Sequence, residues 1–363
     1  MTSELLTDPV WYALAFLTSL GLVLYVTPLT IRVARTFKIQ DTPDGRLKKH
    51  TVPTPYLGGL AIAAAFMMAF GLFSATALYA TQQTTGILVG GFMVLLLGLY
   101  DDLTNLSPSV KFMGQLLAAV VIYKAGVKVD FIQSEWANMT VTVLWVTGIA
   151  NAFNSIDVMD GLAAGTALIA ALFLFMISAA ATYFHGEPRM VPFMAITLAG
   201  ALLGYLRFNY HPARIFLGDT GSLFIGFILG ALSMQASYSN INQLAVVTPV
   251  VLLAIPVFDT VFVAIHRARK GIPFFRGSPD HFALRLRNAG ASVPEIVRGT
   301  YLVATLLGSL SLVLVYGSGE AIPWLLGLLS TAVVAAFLLL SRLPPPPPRN
   351  PVPSSAGASE ADA

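Results

Sequence analysis

The chain has no cysteine at all, and Asp, Glu, Lys and Arg together make up only 11% of its 363 residues. The first absence excludes disulfides, thiolate nucleophiles and cysteine-based metal sites, although it leaves the compartment open. The second, beside 56% hydrophobic residues, excludes an ordinary soluble globule. No internal repeat and no soluble second domain are visible. A basic leader is also missing. Glu4 and Asp8 precede an apolar run over 9–31 that is longer than a signal-peptide core, so it is expected to stay as a first membrane span.

Apolar runs near the ~20 residues that a helix needs to cross a bilayer recur along the chain. Their limits fall at about 10–32, 58–80, 85–100, 110–125, 140–154, 163–184, 190–207, 221–236, 244–265, 296–316 and 321–341. The expected fold is therefore all-α: a polytopic membrane bundle of about ten or eleven transmembrane helices. Basic residues orient it, because loops kept in the cytoplasm carry the Lys and Arg excess. Arg32, Arg35, Lys38, Arg46, Lys48 and Lys49 lie before the second span, and Arg267, Arg269, Lys270, Arg276, Arg285 and Arg287 before the tenth. The other side holds Glu4, Asp8, Asp130, Glu135, Glu187 and Glu320 against three basic residues. This pattern places the N-terminus outside and the C-terminus inside. A lipid bilayer is the expected surrounding, and nucleic acid is not an expected partner.

Residues 1–343 are expected to form one integral membrane domain. From Pro344 a run of five prolines, then Pro, Ser, Ala and Gly, predicts a disordered cytoplasmic tail over 344–363. The weak alternation from Val127 to Thr142 suits a short external hairpin, although the entry to span five overlaps it.

Charge beside hydrocarbon is costly, so acids gathered at the cytoplasmic ends of apolar runs mark a functional site. Asp101, Asp102, Asp157, Asp160 and Asp219 are placed there. Adjacent carboxylates such as Asp101 and Asp102 repel unless a cation relieves them, and negative charge at a helix C-terminus opposes its dipole. Asp with phosphate oxygens is a usual ligand set for Mg²⁺, and Lys111 can meet a phosphate as a point charge. Asn151, Asn154, Asp157 and Asp160 recur at intervals of three, which predicts a polar stripe down the end of span five before Gly161 breaks it. Interhelical hydrogen bonding is the simpler alternative for the two Asn. Gly218-Asp219-Thr220-Gly221-Ser222 sets an acid at a helix start, where backbone N–H groups favour a phosphate, although the same residues cap ordinary helices. The first cytoplasmic loop presents Arg46, Lys48 and His50, followed by Gly58 and Gly59, whose bare backbone permits close approach to a neighbour or a phosphate. A positive-inside anchor would show the same cations.

Together these segments, over roughly 40–290, resemble the polyprenyl-phosphate N-acetylhexosamine-1-phosphate transferases, integral membrane enzymes of glycosyltransferase family 4. The specific elements are Asp101-Asp102, the Asn-x-x-Asn-x-x-Asp-x-x-Asp-Gly run and Gly218-Asp219-Thr-Gly-Ser, in that order. The resemblance implies transfer of a sugar 1-phosphate from a UDP-N-acetylhexosamine, most simply UDP-GlcNAc, to undecaprenyl phosphate. UMP would leave, Mg²⁺ would serve as cofactor with Mn²⁺ as a substitute, and a cell-envelope polysaccharide would be initiated at the cytoplasmic face of the bacterial inner membrane.

By the same resemblance the catalytic candidates are Asp101, Asp102, Lys111 and His281. Arg46, Lys48, His50, Asn151, Asn154, Asp157, Asp160, Asp280 and Arg285 are the substrate-binding candidates, and Asp219 with Asp102 the metal ligands. The segment from Asp41 to Gly59 looks like the GlcNAc branch rather than the phospho-MurNAc-pentapeptide transferases. Ser278 to Arg287 offers one histidine, His281, where many members carry a cluster. A homodimer stays open. The reading from a different class is a transporter that uses the acids as an ion relay.

Overall fold

The computed structural model describes residues 8–41, 53–74, 81–128, 133–236, 238–273, 278–317 and 319–345. Arg46, Lys48 and His50 lie outside the described residues, as does the expected tail beyond Pro345.

The architecture is an all-α membrane bundle. Its helices are α1 (Asp8–Thr36), α2 (Gly58–Ser74), α3 (Gln82–Thr104), α4 (Pro108–Lys124), α5 (Glu135–Ile156), α6 (Leu162–His185) and α7 (Met190–Asn209). They continue as α8 (Gly218–Gln235), α9 (Tyr238–Ile241), α10 (Thr248–Leu252), α11 (Ala254–Arg269), α12 (Phe282–Asn288), α13 (Val293–Tyr316) and α14 (Ile322–Arg342). Each of the eleven apolar runs has a helical counterpart. Among the described residues, seven helices are individually long and apolar enough to cross a membrane. The run expected at 244–265 is instead broken: a 3-10 turn with α10 meets α11 at a 68° bend.

The helix at the centre is α8, which packs against α2, α3, α5, α6 and α7. Its sequence alternates Gly and Ser with Leu, Ile and Phe, and nearly every residue from Thr220 to Ser233 is buried. Small residues suit this position, since within a membrane close backbone packing replaces the hydrophobic effect as the force between helices. The aromatic core beside it is Phe66, Phe70, Phe193 and Phe224, in edge-to-face contacts. By contrast α14 is peripheral, with only Ile322 buried.

Two expectations are corrected. The second half of the proposed 127–142 hairpin is the start of α5: Ser134 caps that helix, accepting from the Ala137 N–H, and Glu135 sits in its first turn, where it complements the dipole. The polar stripe also does not run on to Gly161. Helix α5 ends at Ile156, so only Asn151 and Asn154 lie on it, while Asp157 caps its end and Asp160 lies in the following turn. Gly161, at φ +77°, introduces α6.

A two-residue antiparallel bridge, β1 (Gln40–Asp41) with β2 (Thr54–Pro55), closes the neck of the first loop. The Phe216 N–H donates to the Pro55 carbonyl at 2.7 Å, and the Gly58 and Gly59 N–H groups donate to the Phe216 and Leu217 carbonyls, both at 3.0 Å. The loop is thereby tied to the entrance of α8.

Candidate active site at the head of helix α8

Glycines set how closely the helices meet here. A Cβ on Gly59 would collide with the backbone of Gly221, and one on Gly98 would come within 2.6 Å of the Asp219 carbonyl oxygen. Helices α2 and α3 therefore touch the first turn of α8 backbone to backbone. Gly218 has φ +72°, a conformation that glycine adopts without strain, and it turns the chain into α8.

Asp102 resolves the difficulty of acids at a helix C-terminus. Its Oδ1 accepts from the Asp219 N–H at 2.9 Å, and its Oδ2 accepts from the Thr220 N–H at 3.0 Å and the Thr220 hydroxyl at 2.5 Å. The carboxylate that the C-terminus of α3 disfavours thus caps the N-terminus of α8, whose orphan N–H groups favour it. Both oxygens expected on a metal are engaged with α8.

The neighbouring Asp101 accepts from the Leu106 N–H at 2.7 Å and from Lys111 Nζ at 2.8 Å. Lys111 also pairs with Asp219, and the other oxygen of Asp219 accepts from Asn154 Nδ2 at 2.7 Å. Asn154 further reaches the Ser222 hydroxyl at 2.9 Å. Residues from α3, α4, α5 and α8 therefore converge on one ammonium between two acids. Asp157 faces the same region, and among the described residues its carboxylate makes no hydrogen bond or ion pair; burial first, then the charges of Asp219, Asp102 and Asp160, push its pKa up to about 8. A carboxyl in that state calls for a proton or a second cation.

Other candidates are placed elsewhere. Asn151 pairs with Gln115 of α4 and donates to the Thr147 carbonyl at 2.8 Å, the interhelical role foreseen as the simpler one. Asp160 accepts from the Ala213 N–H at 3.1 Å and contacts His211 Nδ1 at 2.8 Å, fixing the loop that leads into α8. Asp280 and Arg285 face each other at 2.8 Å, and Arg285 donates to the Ser341 and Leu343 carbonyls, clasping the end of α14. Arg285 is buried, so substrate contact by its guanidinium would require this clasp to open. Burial raises the Asp280 carboxyl, but hydrogen bonds from Lys270, Ser278 and Arg285 outweigh it and hold the group at about 2.

His281 sits at the start of α12 with Nδ1 2.7 Å from Asp259, a fully buried residue of α11. Sequence reasoning missed Asp259. Its signal in the sequence is an acid inside the 244–265 apolar run, away from the helix ends where the other acids gather.

Among the described residues no three acidic or histidine side chains form a closed metal cage. An open arrangement still suits Mg²⁺, which binds through one or two carboxylates and completes its shell with substrate phosphate and water.

Comparison with known proteins shows the family. The family model described as glycosyl transferase family 4 matches residues 84–237, the stretch that contains Asp101, Lys111, Asn154 and Asp219. The chain is 35% identical over 309 residues to a probable undecaprenyl-phosphate N-acetylglucosaminyl 1-phosphate transferase of Bacillus subtilis, covering 83% of this chain and 84% of that one. A decaprenyl-phosphate N-acetylglucosaminephosphotransferase of Mycolicibacterium smegmatis is 32% identical over 284 residues, 70% of each chain. A phospho-N-acetylmuramoyl-pentapeptide-transferase of Geobacillus kaustophilus is 30% identical over 303 residues, 74% of this chain and 87% of that one.

Proposed function

This chain belongs to glycosyltransferase family 4, among the polyprenyl-phosphate N-acetylhexosamine-1-phosphate transferases, and from that premise we propose its reaction. It transfers a sugar 1-phosphate from a UDP-N-acetylhexosamine, UDP-GlcNAc foremost, to undecaprenyl phosphate, releases UMP and so initiates a cell-envelope polysaccharide. The observation that carries this reading is the meeting of Lys111, Asp101, Asn154 and Asp219 at the head of α8.

Donor pyrophosphate and acceptor phosphate are both anions, so their approach is repulsive until positive charge lies between them. Lys111 supplies one such charge. Asp219 would hold a Mg²⁺ ion, and Asp102 would act through Asp219 by capping its helix; Asp157, whose carboxyl feels the charge of Asp219, is the second acid proposed for the cation. When bound, the ion would neutralise phosphate oxygens and align the in-line displacement. Asn154 orients the Asp219 carboxylate. Asp101 steers Lys111, and Asp160 holds the loop before α8. The acceptor phosphate, with a second pKa near ~6, is already largely ionised at neutral pH, so direct attack needs little help from a base.

The membrane setting follows the charge pattern: about ten or eleven spans, N-terminus outside, and the site at the cytoplasmic face of the inner membrane. The segment that follows the basic first loop, Thr54–Pro55 with Gly58 and Gly59, is bonded to Phe216 and Leu217 at the entrance of α8. The relay reading loses support because Asp101, Asp102, Asp157 and Asp219 gather at helix ends instead of along a path through the bundle.

Purified protein given labelled UDP-GlcNAc, undecaprenyl phosphate and Mg²⁺ should release UMP and label the lipid. Failure to label it with any UDP-N-acetylhexosamine would overturn the proposal.

A further inference from the structure

Asp259 is an acid buried within an apolar helix, and such residues need a reason to be there. Its carboxylate is fully used. Oδ1 accepts from the Phe282 N–H at 3.0 Å, while Oδ2 takes His281 Nδ1 at 2.7 Å and the Ser155 hydroxyl at 3.4 Å. The Phe282 contact alone could be read as a cap for the short helix α12. It leaves the other two unexplained.

A carboxylate offers only acceptors, so the shared proton belongs to Nδ1 of the imidazole. With its proton on Nδ1, a neutral imidazole keeps a lone pair on Nε2. Among the described residues nothing hydrogen-bonds to that nitrogen. Ser155 is adjacent to Asn154, and these consecutive residues at the end of α5 point to two different acids, Asp259 and Asp219. Asp259 thus joins the histidine segment to the same helix end that supports the phosphate site.

We infer that Asp259 is a positioning residue that holds His281 with Nε2 as a hydrogen-bond acceptor for a hydroxyl or amide N–H of the transferred N-acetylhexosamine. The inference deepens the proposed transfer reaction and rests on it for the identity of the ligand. Carboxylates behind imidazoles fix tautomer and ring orientation in this way, and the tautomer decides whether the far nitrogen accepts or donates.

Asp259→Asn tests it with little change of shape. The amide NH₂ can satisfy Nδ1 only as a donor, which moves the imidazole proton to Nε2 and turns an acceptor into a donor. The ¹⁵N-histidine spectrum of the detergent-solubilised protein, with the His281 signal assigned by its loss in His281→Gln, should show an Nδ1–H tautomer in wild type and Nε2–H in Asp259→Asn. In the transfer assay Asp259→Asn should lower kcat/KM for UDP-GlcNAc by about tenfold to a hundredfold, and the double variant with His281→Gln should be no worse than His281→Gln alone. An Nε2–H tautomer in wild type, additive losses, or wild-type turnover in Asp259→Asn would each overturn the inference. If Asp259→Asn does not fold, the wild-type spectrum still decides the tautomer. A wild-type protein that transfers no sugar phosphate while its His281 is Nδ1–H would sink the proposed reaction and the sugar contact, but not the positioning of the histidine.

Discussion

The Asp219 N–H donates to the Asp102 carboxylate at 2.9 Å, joining the end of one helix to the start of another across 117 positions of sequence. Through this bond the paired acids take separate roles: Asp101 faces the ammonium of Lys111, and Asp102 anchors the helix that carries Asp219.

Replacing the cap should loosen that anchor. Asp102→Ala is expected to cost about 0.5–2 kcal/mol of stability, the usual range for a lost N-cap, and to reduce kcat as Asp219 shifts. Thermal unfolding in detergent beside the transfer assay measures both, and an unchanged melting temperature would argue against the capping role.

Asp219→Asn should abolish transfer with folding intact, because it removes the charge that faces both Lys111 and a bound cation. Chelation by EDTA should silence the wild-type enzyme, and Mg²⁺ or Mn²⁺ should restore it. Turnover close to wild type in the variant, or in thoroughly chelated protein, contradicts the metal assignment.

A methyl group at Gly98 has nowhere to go, since it would lie 2.6 Å from the Asp219 carbonyl oxygen. Gly98→Ala should destabilise the bundle by roughly 1–3 kcal/mol, as overpacking commonly does, and depress transfer at the same time. Gly71→Ala, with nothing within 4 Å of the new atom, serves as the control.

The Asp280 clasp carries a pH signature. Its carboxyl titrates at about 2 in the fold against an ordinary value of 3.8, so the stability it lends is complete above the unfolded value and lost as pH falls through about 2. Asp280→Asn should therefore be less stable than wild type at neutral pH, with the gap narrowing below about pH 4. Thermal unfolding across that range measures the gap, and a deficit that does not change with pH would contradict this account.

Much of the site was legible because its residues sit in short local motifs at the ends of apolar runs. Asp101, Lys111, Asn154 and Asp219 stand out that way, and the structure brings them together. What the sequence hid depends on partners far along the chain. Asn151 looks like its neighbour Asn154 until Gln115 is seen opposite it. Asp259 gains meaning only from His281, 22 residues later, and from Ser155 on another helix. The end of α5 was misplaced because spacing by three persists on paper beyond Ile156, where the backbone has already left the helix.

The contact of Gly59 and Gly98 with the first turn of α8 leaves that floor no spare volume. Divergence toward another hexosamine would thus have to proceed away from this floor, in segments such as the one that carries His281, while the first turn of α8 stays sterically frozen.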